Sequence, residues 1–281
     1  MKKVSLLGLV FLCLFPAWSF AQESPFVQGI FRGSRVINGH SLETLRAGEF
    51  EFLISHRFGT VNSGARELWG LDQATMRLGF DYGVTDWLTI GVGRSTFEKT
   101  YDGFLKFRLL KQKEGSSPIS ISGFTSVALR SAEDLDPVRG EFFENRLFYT
   151  YQILIGRKFG ERFSLQLMPS MVHRNYVATL AESNDVFALG VAGRVRVTKN
   201  FALTGEYYYP FEDQLATGFH PSLSLGFEIE TNGHVFQIHL SNSRGMIEKF
   251  FIAETTGTWG NGDIHIGFNM ARIFKLKGRW Y

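Results

Sequence analysis

Tyr82-Gly83-Val84-Thr85-Asp86-Trp87-Leu88-Thr89-Ile90-Gly91-Val92-Gly93 reads as an alternating strand, a two-residue Thr-Asp turn and a second alternating strand. Period-two alternation on both sides of the turn is the spacing of a sheet with two unlike faces. Related units recur along the chain. Phe50, Phe52, Ile54 and Phe58 share one face against Glu49, Glu51, Ser55 and Arg57 on the other. Leu147, Tyr149, Tyr151, Ile153 and Ile155 stand in the same relation to Arg146, Phe148, Thr150, Gln152 and Lys158, and Leu223, Leu225, Phe227 and Ile229 to Ser222, Ser224, Gly226, Glu228 and Glu230.

A soluble sandwich also alternates, so strand length and turn asymmetry carry the decision. The segments 49–59, 73–83, 87–96, 103–111, 119–130, 146–159, 162–174, 186–197, 201–210, 222–230, 234–241 and 263–274 mostly exceed the globular strand length of about 5–6 residues. They match the roughly 9–11 residues that a tilted strand needs to cross a bilayer. The turns at Thr85-Asp86, Gly160-Glu161, Thr198-Lys199-Asn200 and Thr231-Asn232-Gly233 are tight and rich in Gly, Asn and Asp, whereas the connections near 60–72, 131–145, 175–185, 211–221 and 242–262 are longer and more polar. Short turns on one rim and long loops on the other are the signature of a membrane barrel. The connection 111–118 is the exception: it falls where a tight turn belongs. The pattern predicts an all-β fold, a single antiparallel up-and-down transmembrane β-barrel of about twelve strands.

Composition agrees. With 28 Phe and 30 Gly against 7 Pro, the chain suits strands, close turns and aromatic girdles. After residue 21 the longest apolar run, Val186 to Gly193, is about eight residues, too short for a spanning helix of roughly 20. Lys2 and Lys3, an apolar stretch from Val4 to Phe15 and the small-x-small triplet Ser19-Phe20-Ala21 form the pattern of a cleavable export signal. The expected organisation is a signal peptide over 1–21, an N-terminal segment over 22–48 that is either periplasmic or folded into the lumen, and the barrel over 49–281. The expected location is the outer membrane of a Gram-negative cell, after export through the inner membrane.

Cys13, the one cysteine, falls inside the signal, which leaves the mature chain without a thiolate metal site, a disulfide or a cysteine nucleophile. Cleavage removes Lys2 and Lys3 and no acid, so the formal charge drops from +3 to +1. That balance gives no reason to expect nucleic acid as a partner. No cofactor is expected. The expected partners are outer-membrane lipid, the barrel-assembly machinery and a small solute.

If the apolar faces meet lipid, the opposite faces bring Arg57, Arg77, Asp81, Lys106, Arg108, Arg194, Arg196, Glu206 and Glu228 into the lumen. Such charges either line a polar pore and set its selectivity or pair with one another and with a plug. Arg77, Asp81, Lys106, Arg108 and Arg194 are expected nearest mid-barrel. His239 and Ser241 share one face, the minimum for nucleophilic catalysis and the basis of an alternative as an outer-membrane lipid hydrolase. Phe236, Ile238 and Leu240 claim the lipid side of that strand. The expectation is therefore no catalytic residue. His56, His173, His220, His234 and His265 lack metal-ligand spacing. Gly91 and Gly93 lie within a strand, where small residues admit a neighbouring side chain or a plug. Trp69, Trp87, Trp259, Trp280, Tyr101, Tyr149, Tyr151, Tyr207, Tyr208 and Tyr209 are expected at the two water interfaces.

Ile54-Ser55-His56-Arg57-Phe58-Gly59, Gly70-Leu71-Asp72, Asp81-Tyr82-Gly83 with Asp86, Gly91-Val92-Gly93-Arg94-Ser95, Lys99-Thr100-Tyr101-Asp102-Gly103 and Gly267-Phe268-Asn269 together resemble an uncharacterised family of exported β-barrel proteins, a domain of unknown function. The resemblance covers nearly all of the mature chain, with Trp69 where the family pattern leads one to expect phenylalanine. It implies a barrel and export, and supplies no activity, ligand or catalytic residue. The expected function is a narrow solute channel or a structural component of an envelope complex. The alternatives are the lipid hydrolase and a soluble barrel that binds a lipophilic ligand, which would need its apolar face inside.

Overall fold

The computed structural model describes residues 26–27, 29–133, 142–180, 182–211, 214–231 and 233–276. The expected signal peptide and the terminal Trp280 and Tyr281 lie outside the described residues. Twelve strands follow one another: β1 (Glu49–Thr60), β2 (Ala74–Thr85), β3 (Leu88–Ser95), β4 (Thr100–Leu110), β5 (Ser120–Arg130), β6 (Leu147–Phe159), β7 (Phe163–Arg174), β8 (Asp185–Arg196), β9 (Phe201–Pro210), β10 (Ser222–Thr231), β11 (His234–Ser241) and β12 (His265–Lys275). Each pairs antiparallel with its sequence neighbours. β1 meets β12, with Glu49 opposite Lys275 and Arg57 opposite Gly267, so the sheet closes and has no free edge.

The alternation sets the two surfaces. In β1, Glu51, Leu53, Ser55 and Arg57 are buried while Phe50, Phe52, Ile54 and Phe58 between them are not. Val92, Ile153, Leu203, Leu225 and Ile238 are all exposed on the outer wall. An apolar exterior around an interior holding many charged and polar side chains is the arrangement of a barrel whose solvent is lipid. A soluble barrel with a greasy cavity would be the inverse.

The decisive turn closes one residue later than the sequence suggests. Thr85 pairs with Leu88, which leaves Asp86 and Trp87 at the tip. Thr85 Oγ1 accepts from the Leu88 amide at 3.1 Å, a side-chain acceptor that substitutes for a backbone one and moves the turn forward.

Two segments fill the lumen. Residues 34–41 form a small hairpin with Arg35 opposite His40 and a tight reversal in which the Val36 amide donates to the Gly39 carbonyl at 2.8 Å. The hairpin enters and leaves by the short-turn rim. Phe26 bridges to Lys113 and the Val27 amide donates to Gln112, so the connection 111–118 is long because it clasps the incoming chain. On the way out, Asp86 accepts from Thr44 Oγ1 and the Ala47 amide, and the Gly48 amide donates to Gly83.

The second filler comes from the opposite rim. The connection between β11 and β12, expected to stand outside as a polar loop, turns inward, and Met246, Ile247, Phe250, Phe251, Ile252 and Ala253 are buried. The run of apolar residues explains the difference: with a lumen within reach, they leave water.

Candidate functional site

The hairpin places backbone amides and carbonyls in a barrel interior, where each must find a partner. Inward side chains of the wall supply them. Glu206 on β9 accepts from the successive amides of Ile37, Asn38 and Gly39 at 3.2, 2.8 and 3.1 Å, a backbone nest closed around a carboxylate. Gln166 accepts from the Leu42 amide and donates to the His40 carbonyl. Gln237 and Asn269 donate to the Val36 and Ile37 carbonyls, and Lys106 Nζ to those of Ser34 and Ser41 at 3.3 and 3.1 Å. Ser122 donates to the Leu42 carbonyl, and Thr89 accepts from the Leu45 amide.

Arg57 joins both fillers to the wall. Its guanidinium donates to Asn38 Oδ1 at 2.6 Å, to the Ser243 carbonyl at the root of the second filler, and to His239 Nε2 at 3.0 Å. Asp81 faces Arg35 of the hairpin at 3.4 Å, and Ser34 donates to Glu51. Other charges pair within the wall itself: Arg77 with Asp102, and Arg194 with Glu228. These two pairs reach over an intervening strand. For Arg77 the room comes from Gly93, where a Cβ would sit 2.3 Å from the guanidinium nitrogen.

Arg108 and Arg196 stand apart from this cluster. Both occupy the last inward positions before the short-turn rim, where the barrel opens to water. Arg108 is half-buried and pairs with no acidic residue among those described, and Arg196 reaches exposed Glu161 at 3.0 Å. Arg108 thus sits lower than the mid-barrel position expected from the sequence. Tyr208 is another difference: it is fully buried inside rather than at an interface, with Tyr207 and Tyr209 facing outward on either side. Its ring packs 4.9 Å from Phe251 of the second filler. Gly190 on β8 makes space for it, since a Cβ there would lie 2.6 Å from the Tyr208 ring and 2.9 Å from the Met168 Cβ. Gly190→Ala is expected to cost about 1–3 kcal/mol by overpacking, read as a lower urea midpoint.

His239 and Ser241 both point into the lumen and are buried, and each is engaged elsewhere. The histidine accepts from Arg57, and the Ser241 hydroxyl accepts from Ser224 at 2.9 Å. Phe236, Ile238 and Leu240 face outward. His173 meets Asp185 at 2.6 Å at the long-loop rim, and among the described residues no group of three or more His, Cys, Asp or Glu could hold a metal. Beyond the barrel's long-loop end, the Thr258 amide and the Asn62 side chain hold the Asp263 carboxyl below its ordinary value.

Hairpin and second filler meet each other where His40 faces Glu248 at 3.7 Å. Lys249 pairs with Glu98 and Glu254 at 3.1 and 2.9 Å and lies over the Phe148 and Phe250 rings. Between hairpin and wall, cavities of about 10 Å³ remain, room for about one water each.

A family described as a membrane bound beta barrel domain (DUF5777) matches residues 31–274. The chain belongs to this family. The matched range begins just before the lumen hairpin, so the family's domain includes the hairpin as well as the wall. Among solved structures, the NanC porin is similar at TM-score 0.51 and 9% identity, covering 81% of this chain and 100% of that one. The KdgM porin follows at TM-score 0.47, 8% identity and 81% and 99% coverage. Outer membrane phospholipase A from Escherichia coli follows at TM-score 0.46, 9% identity and 86% and 95% coverage. At such identities the likeness to the first of these concerns the fold alone. Among curated proteins no sequence relative is found.

The sequence missed the inward fold of residues 243–254 and the dense bonding of residues 34–45. The signal for the first was available in Met246-Ile247 and Phe250-Phe251-Ile252-Ala253, six apolar residues in a connection otherwise read as polar. For the second there was none, because the hairpin is held in large part through its backbone.

Proposed function

We propose that the protein is an outer-membrane channel for small solutes, held shut at rest by its own N-terminal hairpin and by the inward connection between β11 and β12. The reading is non-enzymatic. Its partners are outer-membrane lipid, the machinery that inserts the barrel, and the solute. One observation carries it: the hairpin's backbone is bound almost wholly by polar wall side chains, Glu206, Gln166, Gln237, Asn269 and Lys106 among them. Water can take over such bonds one for one when the hairpin withdraws, at a small net cost per bond. The entry and exit of the hairpin at the same rim let it leave as a loop without breaking the barrel's closure. A second reading, a permanently closed structural barrel, is favoured by the apolar contacts of Ile30, Phe31, Leu42 and Phe251 with the wall.

Planar bilayers separate the two. The full-length protein is expected to conduct little, whereas the full-length variant Leu42→Asp/Phe251→Asp is expected to conduct steadily. Each substitution buries an unpaired carboxylate against apolar wall, which favours the withdrawn state by several kcal/mol. A variant that stays folded in the membrane and silent would leave the structural barrel as the reading.

A further inference from the structure

The buried apolar side chains of the lumen wall are concentrated on one side. On β4 to β9 the buried inward side chains include Phe104, Phe124, Phe148, Leu154, Met168 and Tyr208, interleaved with polar ones such as Lys106, Gln166 and Glu206, and the hairpin and the second filler turn Ile30, Phe31, Val36, Leu42 and Phe251 toward the apolar members, where they join them in one core. On the six adjacent strands from β10 through β12 and β1 to β3, the buried inward side chains of the described residues are polar or charged, with Leu53 and Ala271 the exceptions. A purely structural plug needs no such asymmetry, and a pore for hydrated ions has no use for a cluster of apolar side chains.

Withdrawal of the hairpin leaves particular wall charges without their partners. Glu206 loses three amides, Glu51 loses Ser34 and Asp81 loses Arg35, while Lys106 loses two carbonyls and Arg57 loses Asn38. Arg77 and Arg194 keep their carboxylates on the wall. The vacated interior therefore offers carboxylates and cations together with the apolar crescent of β4 to β9. Both signs are exposed together, so neither a simple anion nor a simple cation is the best complement.

We infer that the solute is a small amphiphile with a zwitterionic head and an apolar tail, the head meeting Arg57, Lys106 and Glu206 and the tail Phe104, Leu154 and Met168. This rests on the channel reading and names its solute. The tail replaces the hairpin's own Leu42 and Val36 on the crescent, so passage does not leave that surface facing water. The head replaces the hairpin's backbone groups on those charged side chains.

Liposome swelling with the full-length Leu42→Asp/Phe251→Asp variant tests it, with L-phenylalanine, L-glutamine and mannitol as probes of similar size. Phenylalanine is expected to enter about fivefold faster than glutamine, which carries the same head on a polar tail, and glutamine faster than uncharged mannitol. Adding Leu154→Asn/Met168→Gln is expected to bring phenylalanine down to the glutamine rate measured in the same variant. Equal entry of all three probes, faster entry of mannitol, or a phenylalanine preference untouched by the crescent substitutions would overturn the inference while the channel stands. A folded variant that passes neither ions nor any probe would instead overturn the channel reading, and this inference with it.

Discussion

Arg57→Met is expected to lower the stability of the folded barrel by about 3–5 kcal/mol, the cost of leaving several buried acceptors unpaired at once. The guanidinium is 1% exposed and serves Asn38, Ser243 and His239 together. Methionine keeps the length and bulk of the side chain, so packing changes little and the loss is that of the donors. The urea midpoint of the protein in detergent or bilayers reads the effect. Because one group bonds both fillers, the variant is also expected to loosen the hairpin and the second filler in step. A midpoint within the error of the native protein would mean that water reaches these acceptors, and that Arg57 is no junction. Arg57→Lys is expected to recover only part of the loss, since an ammonium cannot present donors in a planar fork.

Glu206→Ala acts on one filler alone. The carboxylate is the acceptor for three consecutive amides at the hairpin's tip, and no neighbouring acceptor is placed to serve all three. Leaving buried donors unpaired costs about 1–3 kcal/mol each. Even with partial relaxation, the balance between seated and withdrawn hairpin is expected to shift by about 3 kcal/mol, roughly a hundredfold. The readout is a Ser41→Cys background, since Ser41 is fully buried beneath the tip and Cys13 falls in the expected leader. A membrane-impermeant thiol reagent is expected to label the native hairpin slowly and the Glu206→Ala variant about a hundredfold faster. Glu206→Gln keeps an oxygen acceptor and is expected to fall between them. Equal labelling rates in all three would show that the nest does not hold the hairpin in place.

The wall was legible in the sequence to within a few residues at most strand ends. Alternation in β1, β6 and β10 assigned Glu51, Arg57, Thr150, Gln152, Ser224 and Glu228 to the interior, and all are buried there. This works because strand geometry is local: once a segment is extended, side-chain direction follows from parity. Parity also placed His239 and Ser241 inside. It carried less information about depth, which is why Arg108 read as the equal of Arg194 although it sits at the rim. The expectation of an aromatic belt overrode parity at Tyr208, which shares the inward face of Glu206 while Tyr207 and Tyr209 turn outward.

The segments between strands were far less readable. Residues 34–41 carry no alternation that marks a hairpin, and their partners lie as far away as Asn269, more than 200 residues on in sequence. The long connection 111–118 and Asp86 gained their purpose only when Phe26, Thr44 and Ala47 were found against them.

By itself the sequence determined a barrel, its strand count, its lipid-facing and lumen-facing residues, and the family resemblance, because each depends on repeating local geometry and on the cost of exposing backbone to lipid. Only the tertiary structure decided that the lumen is filled from both ends, that Glu206, Arg57 and Lys106 hold backbone rather than line an open pore, and that the interior gathers its apolar side chains on β4 to β9. Those facts depend on which residues closure brings face to face across the lumen, and contacts between segments far apart in the chain leave no period in the sequence.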